Sequence, residues 1–421
     1  MKEKVTLLLL VVSLLSGNLI WASGGAEEAS DSVTELTWWN LSSRKELTER
    51  VVADFNAAHP DIQINAVLNS TDDHKNQLMV AASSGSLPDM WFNWGGTLGS
   101  FYPENGLSYD LSDYAKENNW SQKYDESALS LATLEGQLAG VPTSIAMIGM
   151  FYRKDIFEEC GVTAPETFEE FETVLATLKS KGYTPLILCG KGGWHLMRFV
   201  EALIEMYGGS AEHDRLAALD SSWNSEPVIK AFAKFKEYVD LGYLPEGFVT
   251  LGGSDAKSLL YAGDGVIDIE GPWMESNIYN DEQDPDLYGY FKLPLSPKGN
   301  RMSGFVEMLQ LNANLSDREL EAAITFIEWF YSPESINTYG ALIKQPVPRK
   351  DNSIPERLVM TSMMIDDLNT YGSYTISDQG LPQEIAGKLF EAQDSVGVGI
   401  MTPEEAAAFM QKEIEAYKAS K

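Results

Sequence analysis

The chain has 421 residues, 44% of them hydrophobic and 11% aromatic, which is enough for two domains with substantial cores. Its 62 acidic and 31 basic residues give a formal net charge of −31 at pH 7. Nucleic acid and anionic membrane surfaces would repel such a chain at long range, so we expect neither as a partner. Neutral and cationic ligands remain compatible with this charge.

The N-terminal residues 1–24 have the pattern of a secretory signal peptide. Met1 to Lys4 carries positive charge, an apolar run extends from Val5 to Leu15, and small residues follow at 22–26. The apolar run is too short to span a bilayer, and no later stretch of 18 or more apolar residues occurs in the sequence. We therefore expect export to the periplasm or otherwise outside the cytoplasm.

Hydrophobic periodicity predicts alternating strands and helices in the next part of the chain. Strands are expected over 35–39, 62–68 and 87–94, and amphipathic helices over 44–58 and 74–84. This alternation favours a parallel sheet with crossover helices, and such sheets bind ligands at the carboxyl ends of their strands. Two of these ends carry Trp39-Asn40 and Asn93-Trp94.

The same alternation continues along the chain and predicts an α/β fold. Thr167 and Glu170 form a capping-box pattern for a helix that extends to about residue 181. A strand over 185–189 is followed by a glycine-rich stretch, and Trp194 opens the next helix. Further helices are predicted over 154–161, 228–241 and 317–331 and in the C-terminal region.

The cysteines and histidines do not form a recognisable metal-binding or disulfide pattern. Cys160 and Cys189 are the two cysteines; export would permit a bridge between them, and two buried thiols are the alternative. The four histidines lie scattered, without the spacing of a metal site. We expect no metal, no cofactor and no catalytic residue.

Several motifs, taken in their order, resemble the bacterial extracellular solute-binding proteins, the sugar-binding family that serves ABC importers. They are Leu87-Pro-Asp89, Gly140-Val-Pro142, the segments 152–157 and 165–170, GPWMESNI at 271–278, Ser303-Gly304, and the segments 322–330 and 332–334. GPWMESNI is similar to the G-P-W-x-x-S-N-I segment of the maltose-binding branch. Arg153 and Phe168 stand where the family usually has Asn and Trp. The resemblance covers nearly the whole mature chain.

This resemblance implies a two-lobed fold in which each lobe is a mainly parallel sheet flanked by helices, with a hinge between the lobes. It implies an N-terminal lobe of 31–143 plus 300–332 and a C-terminal lobe of 144–299 plus 333–421. Crossings are expected near 142–144, 294–302 and 331–334. The implied function is to bind a sugar in the cleft, close around it and deliver it to an ABC permease as a monomer.

A sugar ring has an apolar face of C–H groups and a rim of hydroxyls, so its binding site needs an aromatic plane and in-plane polar groups. Trp273 follows a Gly-Pro turn after a predicted strand, which would hold the indole rigidly with one face free. We interpret Trp273 as the main stacking platform. The alternative is a tryptophan that fills the core of its own lobe.

Other cleft residues are expected at strand ends, at a helix start and on segments that return to the cleft in similar proteins. Alternation sends Trp38 and Trp39 to opposite faces, so one of them should be core. For Glu270 and Glu307 a solvent-facing carboxylate is the alternative. Asp89, Tyr102, Tyr152 and Trp329 are interpreted as structural. The assigned set is Trp39, Asn40, Asn93, Trp94, Trp194, Glu270, Gly304, Glu307 and Gln345, with His195 and Lys344 as companions.

Two other functions remain open at this point. A secreted glycoside hydrolase would also use tryptophans and carboxylates, although the sequence contains no G-x-S-x-G elbow and no motif that resembles the common hydrolase barrels. A binding protein for a polyamine would likewise pair aromatic rings with carboxylates. A phosphate or sulfonate site would need more Arg and Lys, and a ferric site more Tyr, than the cleft segments offer.

Overall fold

The structure is a computed structural model that describes residues 33–296, 298–340, 342–343, 345–351 and 358–421. The expected signal peptide and Lys344 lie outside the described residues. The strands are β1 (Thr34–Leu41), β2 (Ile62–Asn69), β3 (Met90–Trp94), β4 (Thr133–Leu134), β5 (Gln137–Leu138), β6 (Val141–Met147), β7 (Gly149–Arg153), β8 (Thr184–Ile187), β9 (Gly265–Glu270), β10 (Tyr288–Phe291), β11 (Met302–Leu311) and β12 (Ser373–Thr375).

Helices surround these strands and confirm the α/β prediction. They are α1 (Lys45–Ala58), α2 (Thr71–Ser84), α3 (Gly96–Glu104), α4 (Ser112–Glu117), α5 (Trp120–Lys123), α6 (Glu126–Ala132), α7 (Lys154–Cys160), α8 (Phe168–Ser180), α9 (Trp194–Gly208), α10 (Ser210–Ala217), α11 (Glu226–Asp240), α12 (Gly253–Ala262), α13 (Trp273–Asn280), α14 (Asp317–Phe330), α15 (Pro333–Tyr339), α16 (Val359–Tyr371), α17 (Ser377–Gly380), α18 (Gln383–Gly397) and α19 (Pro403–Ser420). No helix among the described residues is both long and apolar enough to cross a membrane.

Two sheets give the molecule two lobes, as expected. The larger sheet has the order β12-β11-β3-β1-β2, and β6 also pairs with β11. Its β1 is parallel to β2 and β3, whereas β11 is antiparallel to β3. The smaller sheet has the order β10-β7-β9-β8, with β8 parallel and β7 antiparallel to β9, and β10 antiparallel to β7. Both sheets are thus mixed, and the smaller one is mostly antiparallel, unlike the mainly parallel sheet expected for each lobe. The carboxyl ends of β1, β3 and β9 carry most of the residues assigned to the cleft.

The sequence pattern explains why the helices pack as they do. In α1, Leu47, Val51 and Phe55 lie on one face and are buried in the core of the larger lobe. Each fully buried side chain of this kind contributes about 1.5–3 kcal/mol relative to exposure. Helix α8 begins at the predicted capping box, in which Thr167 and Glu170 bond to each other's backbone N–H groups.

The chain passes between the sheets at short connections. Strand β6 of the larger sheet ends at Met147, and β7 of the smaller sheet begins at Gly149. The chain returns to the larger sheet at β11, where Gly304 pairs with Met147 on one side and with Thr375 of β12 on the other. A Cβ at Gly304 would lie 3.2 Å from the Ser373 Cβ, so a larger residue would crowd this junction.

The two cysteines are free thiols in the structure. Cys189 is buried and Cys160 is half-buried. The structure therefore has two unbridged thiols and no Cys160–Cys189 disulfide. Cys160 is more accessible than the buried thiol that the alternative expected.

Candidate ligand-binding site

Trp273 lies where strand β9 of the smaller lobe runs into helix α13. The strand ends at Glu270, Gly271 and Pro272 make the turn, and Trp273 is the first residue of the helix. Gly271 is required because a Cβ there would come within 2.3 Å of the Trp273 ring. The indole is half-buried, and its Nε1 donates a hydrogen bond of 2.7 Å to Glu270 Oε2. The ring is therefore fixed at the carboxyl end of β9.

Arg198 connects Trp273 to another tryptophan of this lobe, Trp194. Trp194 opens α9 as predicted, and Arg198 follows four residues later on the same helix face. The Arg198 guanidinium carbon lies over both rings, 4.6 Å from the Trp194 centroid and 5.2 Å from the Trp273 centroid. Its Nη1 donates to Glu270 Oε2 and to the Ile269 carbonyl oxygen, each at 2.8 Å. Trp194, Trp273 and Glu270 are thus brought together.

His195 lies behind this group and is fully buried. Its Nδ1 accepts a hydrogen bond from the Cys189 backbone N–H at 3.2 Å, which assigns the ring proton to Nε2. Nε2 lies 3.1 Å from Asp268 Oδ1 and 3.7 Å from Glu270 Oε1. Burial lowers the pKa of His195 to about 4 and raises the pKa of Asp268 to about 7. His195 supports the end of β9 from inside the lobe.

His195, Asp268 and Glu270 approach the spacing of a metal site, since one donor atom from each lies within 4.8 Å of the others. The Arg198 guanidinium already neutralises Glu270 at 2.8 Å. A divalent cation at this position would share a buried region with that fixed positive charge, which is electrostatically unfavourable. The donor set therefore fits an internal hydrogen-bonded support better than a metal centre.

A second polar group lies on the larger lobe, where Arg44, Ser144, Glu307 and Gln345 meet. Arg44 Nη2 donates to Glu307 Oε2 and, at 2.9 Å, to Gln345 Oε1. The Ser144 hydroxyl lies 2.6 Å from the same Glu307 oxygen and 2.9 Å from Gln345 Oε1, so its single proton can go to either acceptor. Glu307 is 4% exposed, which rules out a solvent-facing carboxylate. Arg44 and Glu307 neutralise each other.

A small open cavity adjoins this second group. Its polar lining includes Asn40, Arg44, Ser144 and Gln345, and its apolar lining includes Trp38, Phe92 and Tyr331. Apolar walls with a few convergent polar groups are typical of small-molecule sites. These four polar side chains lie at the wall of the cavity, where Asn40, Ser144 and Gln345 are buried and bonded within the protein.

The two asparagines of the assigned set are buried and bonded within the larger lobe. Asn40 Nδ2 donates to Thr48 Oγ1 at 3.0 Å, and its Oδ1 accepts from the Leu41 N–H at 2.8 Å. Asn93 makes the equivalent pair of bonds, to Gln310 Oε1 at 2.7 Å and from the Trp94 N–H at 2.9 Å. Both side chains therefore fix the ends of their strands. Asn40 still lines the cavity.

Trp38 and Trp39 pack within the larger lobe, whereas Trp94 belongs to the buried cluster that also holds the core of the smaller lobe. Trp38 is core, with its ring 5.3 Å from that of Phe326, whereas Trp39 is half-buried on the opposite face, as alternation requires. Trp94 is 7% exposed and stands edge-on to Phe92 at 4.7 Å. Among the described residues, Trp39 and Trp94 make no ring contact with Trp194 or Trp273. The cross-lobe ring neighbour of Trp273 is Phe305 on β11, at 6.0 Å.

A family model described as bacterial extracellular solute-binding protein matches residues 38–336, which is more than half of the chain. The chain belongs to this family. The multiple sugar-binding protein of Streptococcus mutans is 24% identical over 353 residues, which cover 79% of this chain and 80% of that one. The galactooligosaccharide-binding protein of Bacillus subtilis is 22% identical over 387 residues, which cover 90% of this chain and 88% of that one.

Solved structures of other binding proteins share the fold of this solute-binding protein. A chitin oligosaccharide binding protein gives a TM-score of 0.84 at 24% identity and covers 93% of this chain and 100% of its own. The maltose-bound MalE3 of T. maritima gives 0.79 at 19% identity and covers 91% and 100%. At these identities the likeness establishes the two-lobed fold. Both the Streptococcus mutans and the Bacillus subtilis relative are named as binding proteins.

Sequence reasoning missed the residues that organise the site of this solute-binding protein. Arg198 carried one local signal, its four-residue spacing from Trp194 on a helix face. Arg44 and Ser144 carried none, because their partners Glu307 and Gln345 lie 163 to 301 residues away in the chain.

Proposed function

We propose that this protein is the extracytoplasmic receptor of an ABC importer and binds a mono- or oligosaccharide between its lobes. The observation that carries the proposal is the pair of half-buried indoles, Trp194 and Trp273, held at helix starts by Arg198 and Glu270. Rigid aromatic planes suit the C–H face of a pyranose and lose little entropy on binding. The names of the relatives support a sugar as the ligand class.

The larger lobe would supply hydrogen bonds to the hydroxyl rim of the sugar. Arg44, Ser144 and Gln345 line the cavity at the carboxyl end of β1, where their donors and acceptors converge. A sugar that stacks on the smaller lobe gains these contacts only when the lobes are together. Ligand binding would therefore shift the population toward the closed form.

The division of the chain into lobes is part of this proposal. We propose the two lobes expected from the sequence, 31–143 plus 300–332 and 144–299 plus 333–421, with hinge connections between them and with two changes. The first boundary moves to Met147, where β6 of the larger sheet ends, and Ile336, Tyr339, Val347 and β12 belong to the larger lobe, whose core or sheet they share. At Gly304, strand β11 pairs with β6 on one side and with β12 on the other. This junction lies close to the crossings expected near 142–144 and 294–302, which supports a hinge there. Rotation about a few such residues would move the lobes as rigid bodies.

Delivery to a membrane permease follows from the family. The protein would be exported by the signal peptide at 1–24, act in the periplasm or on the outer side of the cytoplasmic membrane, and work as a monomer. The permease would recognise the closed arrangement of the two lobes.

We propose that the protein does no chemistry on its ligand. Glycoside hydrolysis needs two carboxylates free to act on one bond. Glu270 Oε2 accepts hydrogen bonds from Arg198 and Trp273, and Glu307 Oε2 accepts one from Arg44 and lies within reach of the Ser144 hydroxyl. Both candidate carboxylates are thus engaged in ion pairs, which favours a binding role.

The test is a thermal-shift screen of the mature protein against mono- and oligosaccharides, with polyamines as the comparison. A sugar at about 100 times its Kd should raise the Tm by about 3–5 °C. Calorimetry then gives the affinity, and product analysis of the same mixtures should detect no hydrolysis. A shift with polyamines but with no sugar, or reproducible turnover of a glycoside, would contradict the proposal.

A further inference from the structure

Arg198 occupies the space between the two indoles of the candidate site. Its guanidinium carbon is 4.6 Å from the centroid of Trp194 and 5.2 Å from that of Trp273. Glu270 completes the surround, since its Oε2 accepts from Arg198 Nη1 at 2.8 Å. We call the rings of Trp194 and Trp273 together with the Glu270 carboxylate the aromatic cage.

An aromatic cage of this composition is the chemical environment that recognises an organic cation. Aromatic faces attract a cation through the ring quadrupole, and the attraction increases when the cation is desolvated. A carboxylate at the rim adds a charge-assisted hydrogen bond. Here a guanidinium from the chain itself meets all three groups, and only 5% of Arg198 is exposed.

We propose that Arg198 is an internal occupant of the aromatic cage, which closes the cage to external cations and thereby restricts the site to uncharged ligands. The inference rests on the proposed function, because it takes Trp194 and Trp273 as walls of the ligand site. It concerns ligand class alone and holds for a sugar of any ring number.

The net charge of the molecule would by itself favour cationic ligands. The chain carries a net charge of −31, which would concentrate cations near its surface. Without Arg198, the cage would present Glu270 and two indoles with no internal positive partner at 2.8 Å. Polyamines and quaternary amines would then meet both a favourable field and a matching site.

The hydrogen bonds of the guanidinium fix its position between the two rings. Nη1 bonds to the Ile269 carbonyl oxygen and to Glu270, so Arg198 is attached to the end of strand β9. Planar stacking with two-point hydrogen bonding is a geometry that arginine supports and lysine reproduces only as a point charge. Among the described residues, Arg198 Nε has no hydrogen-bond partner, which agrees with a position governed by ring faces.

The test is chemical rescue in the full mature chain with Arg198→Ala. The probes are methylguanidinium, which replaces the lost group, and N-methylurea, its uncharged counterpart of the same shape. Methylguanidinium at about ten times its Kd should raise the Tm of Arg198→Ala by about 1–3 °C, and N-methylurea should not. The unmodified protein should respond to neither probe and bind methylguanidinium at least about 10-fold more weakly than the variant.

Two further variants serve as controls. Arg50→Ala removes an exposed arginine from α1 and should leave the response to both probes as in the unmodified protein. Arg198→Lys keeps a cation in the cage and should still exclude methylguanidinium. Far-UV circular dichroism reports folding in each case, with and without the probes.

Three outcomes would overturn the inference. Equal responses of Arg198→Ala to both probes would mean that the cage does not recognise charge, and no response to either would mean that no cage opens. An Arg198→Ala chain that stays unfolded with saturating methylguanidinium would show that the arginine is a structural brace only. Sugar binding by the unmodified protein is measured separately, so failure of the proposed function and failure of this inference are distinguishable.

Discussion

Trp273→Ala should weaken sugar binding far more than it weakens the fold. An aromatic anchor at a binding hot spot contributes about 2–4 kcal/mol, which corresponds to an affinity loss of about 30- to 1,000-fold. The indole is half-buried, and Glu270 Oε2 accepts bonds from both Trp273 and Arg198. Because Arg198 keeps Glu270 paired in the variant, we expect the unfolding free energy to fall by only about 1–2 kcal/mol.

Two other tryptophans provide matched controls for this substitution. Trp223 is 2% exposed in the core of the smaller lobe, so Trp223→Ala should cost about 3–5 kcal/mol. Trp329 is half-buried like Trp273 but packs on Phe55 and Tyr339 in the larger lobe, and among the described residues it makes no ring contact with Trp194 or Trp273. Both controls should retain sugar affinity wherever they fold.

Calorimetric titration gives the affinity, and urea unfolding without ligand gives the stability. Trp273→Phe keeps a smaller aromatic plane and loses the Nε1 donor, so it should retain more affinity than Trp273→Ala. Unchanged sugar affinity in Trp273→Ala, together with a loss of about 3–5 kcal/mol of stability, would refute the interpretation. Trp273 would then be a core residue of its lobe.

Other regions of the molecule give further testable expectations. Glu307→Gln leaves Arg44 without its counter-charge where 17% of the arginine side chain is exposed, so urea unfolding should show a loss of about 2–3 kcal/mol, whereas Asp54→Asn at the exposed Arg50 pair should leave the Tm unchanged. Burial raises the pKa of Glu201 to about 8, so the folded chain holds a proton that the unfolded chain loses above about pH 4.5. The unfolding free energy that this group contributes therefore falls as pH rises from about 4.5 to 8, by up to about 1.4 kcal/mol per pH unit. Urea unfolding at about pH 5, 6.5 and 8 should show that Glu201→Gln loses this dependence of stability on pH. The same dependence in both proteins would contradict the assignment. A thiol reagent should label half-buried Cys160 in the folded protein and Cys189 only after unfolding, and reductant should not change the Tm; protection of both thiols until reduction would contradict the free-thiol state.

The fold was accessible from sequence because its signals are local. The helix predicted over 317–331 is found at Asp317–Phe330, and the strand predicted over 62–68 is found at Ile62–Asn69. Apolar spacing and caps fix such elements within a few residues, and alternating strands and helices then indicate an α/β fold. The split of Trp38 and Trp39 between two faces of β1 follows from the same two-residue period.

The site was accessible only in part, because its chemistry depends on pairs that are distant in the chain. Arg198 meets Glu270 across 72 residues, and Arg44 meets Glu307 across 263. Spacing rules predict that a tryptophan opens α9 or follows β9, but they contain no information on which side chain fills the space between two such rings. Asn93 illustrates the converse. Its position at a strand end predicted a ligand contact, but its amide is bonded to Gln310 inside the lobe.

The charges of the candidate site are cancelled before a ligand arrives, and this determines where affinity must originate. Arg198 pairs with Glu270, and Arg44 pairs with Glu307. An anionic ligand would be repelled by a chain of net charge −31 and would find both arginines engaged. A cation would have to displace a guanidinium that two ring faces and a carboxylate already hold. An uncharged polyhydroxyl ligand meets neither penalty, so stacking and hydrogen bonds to fixed side chains must supply its binding free energy, and prior pairing reduces the entropy lost in fixing them.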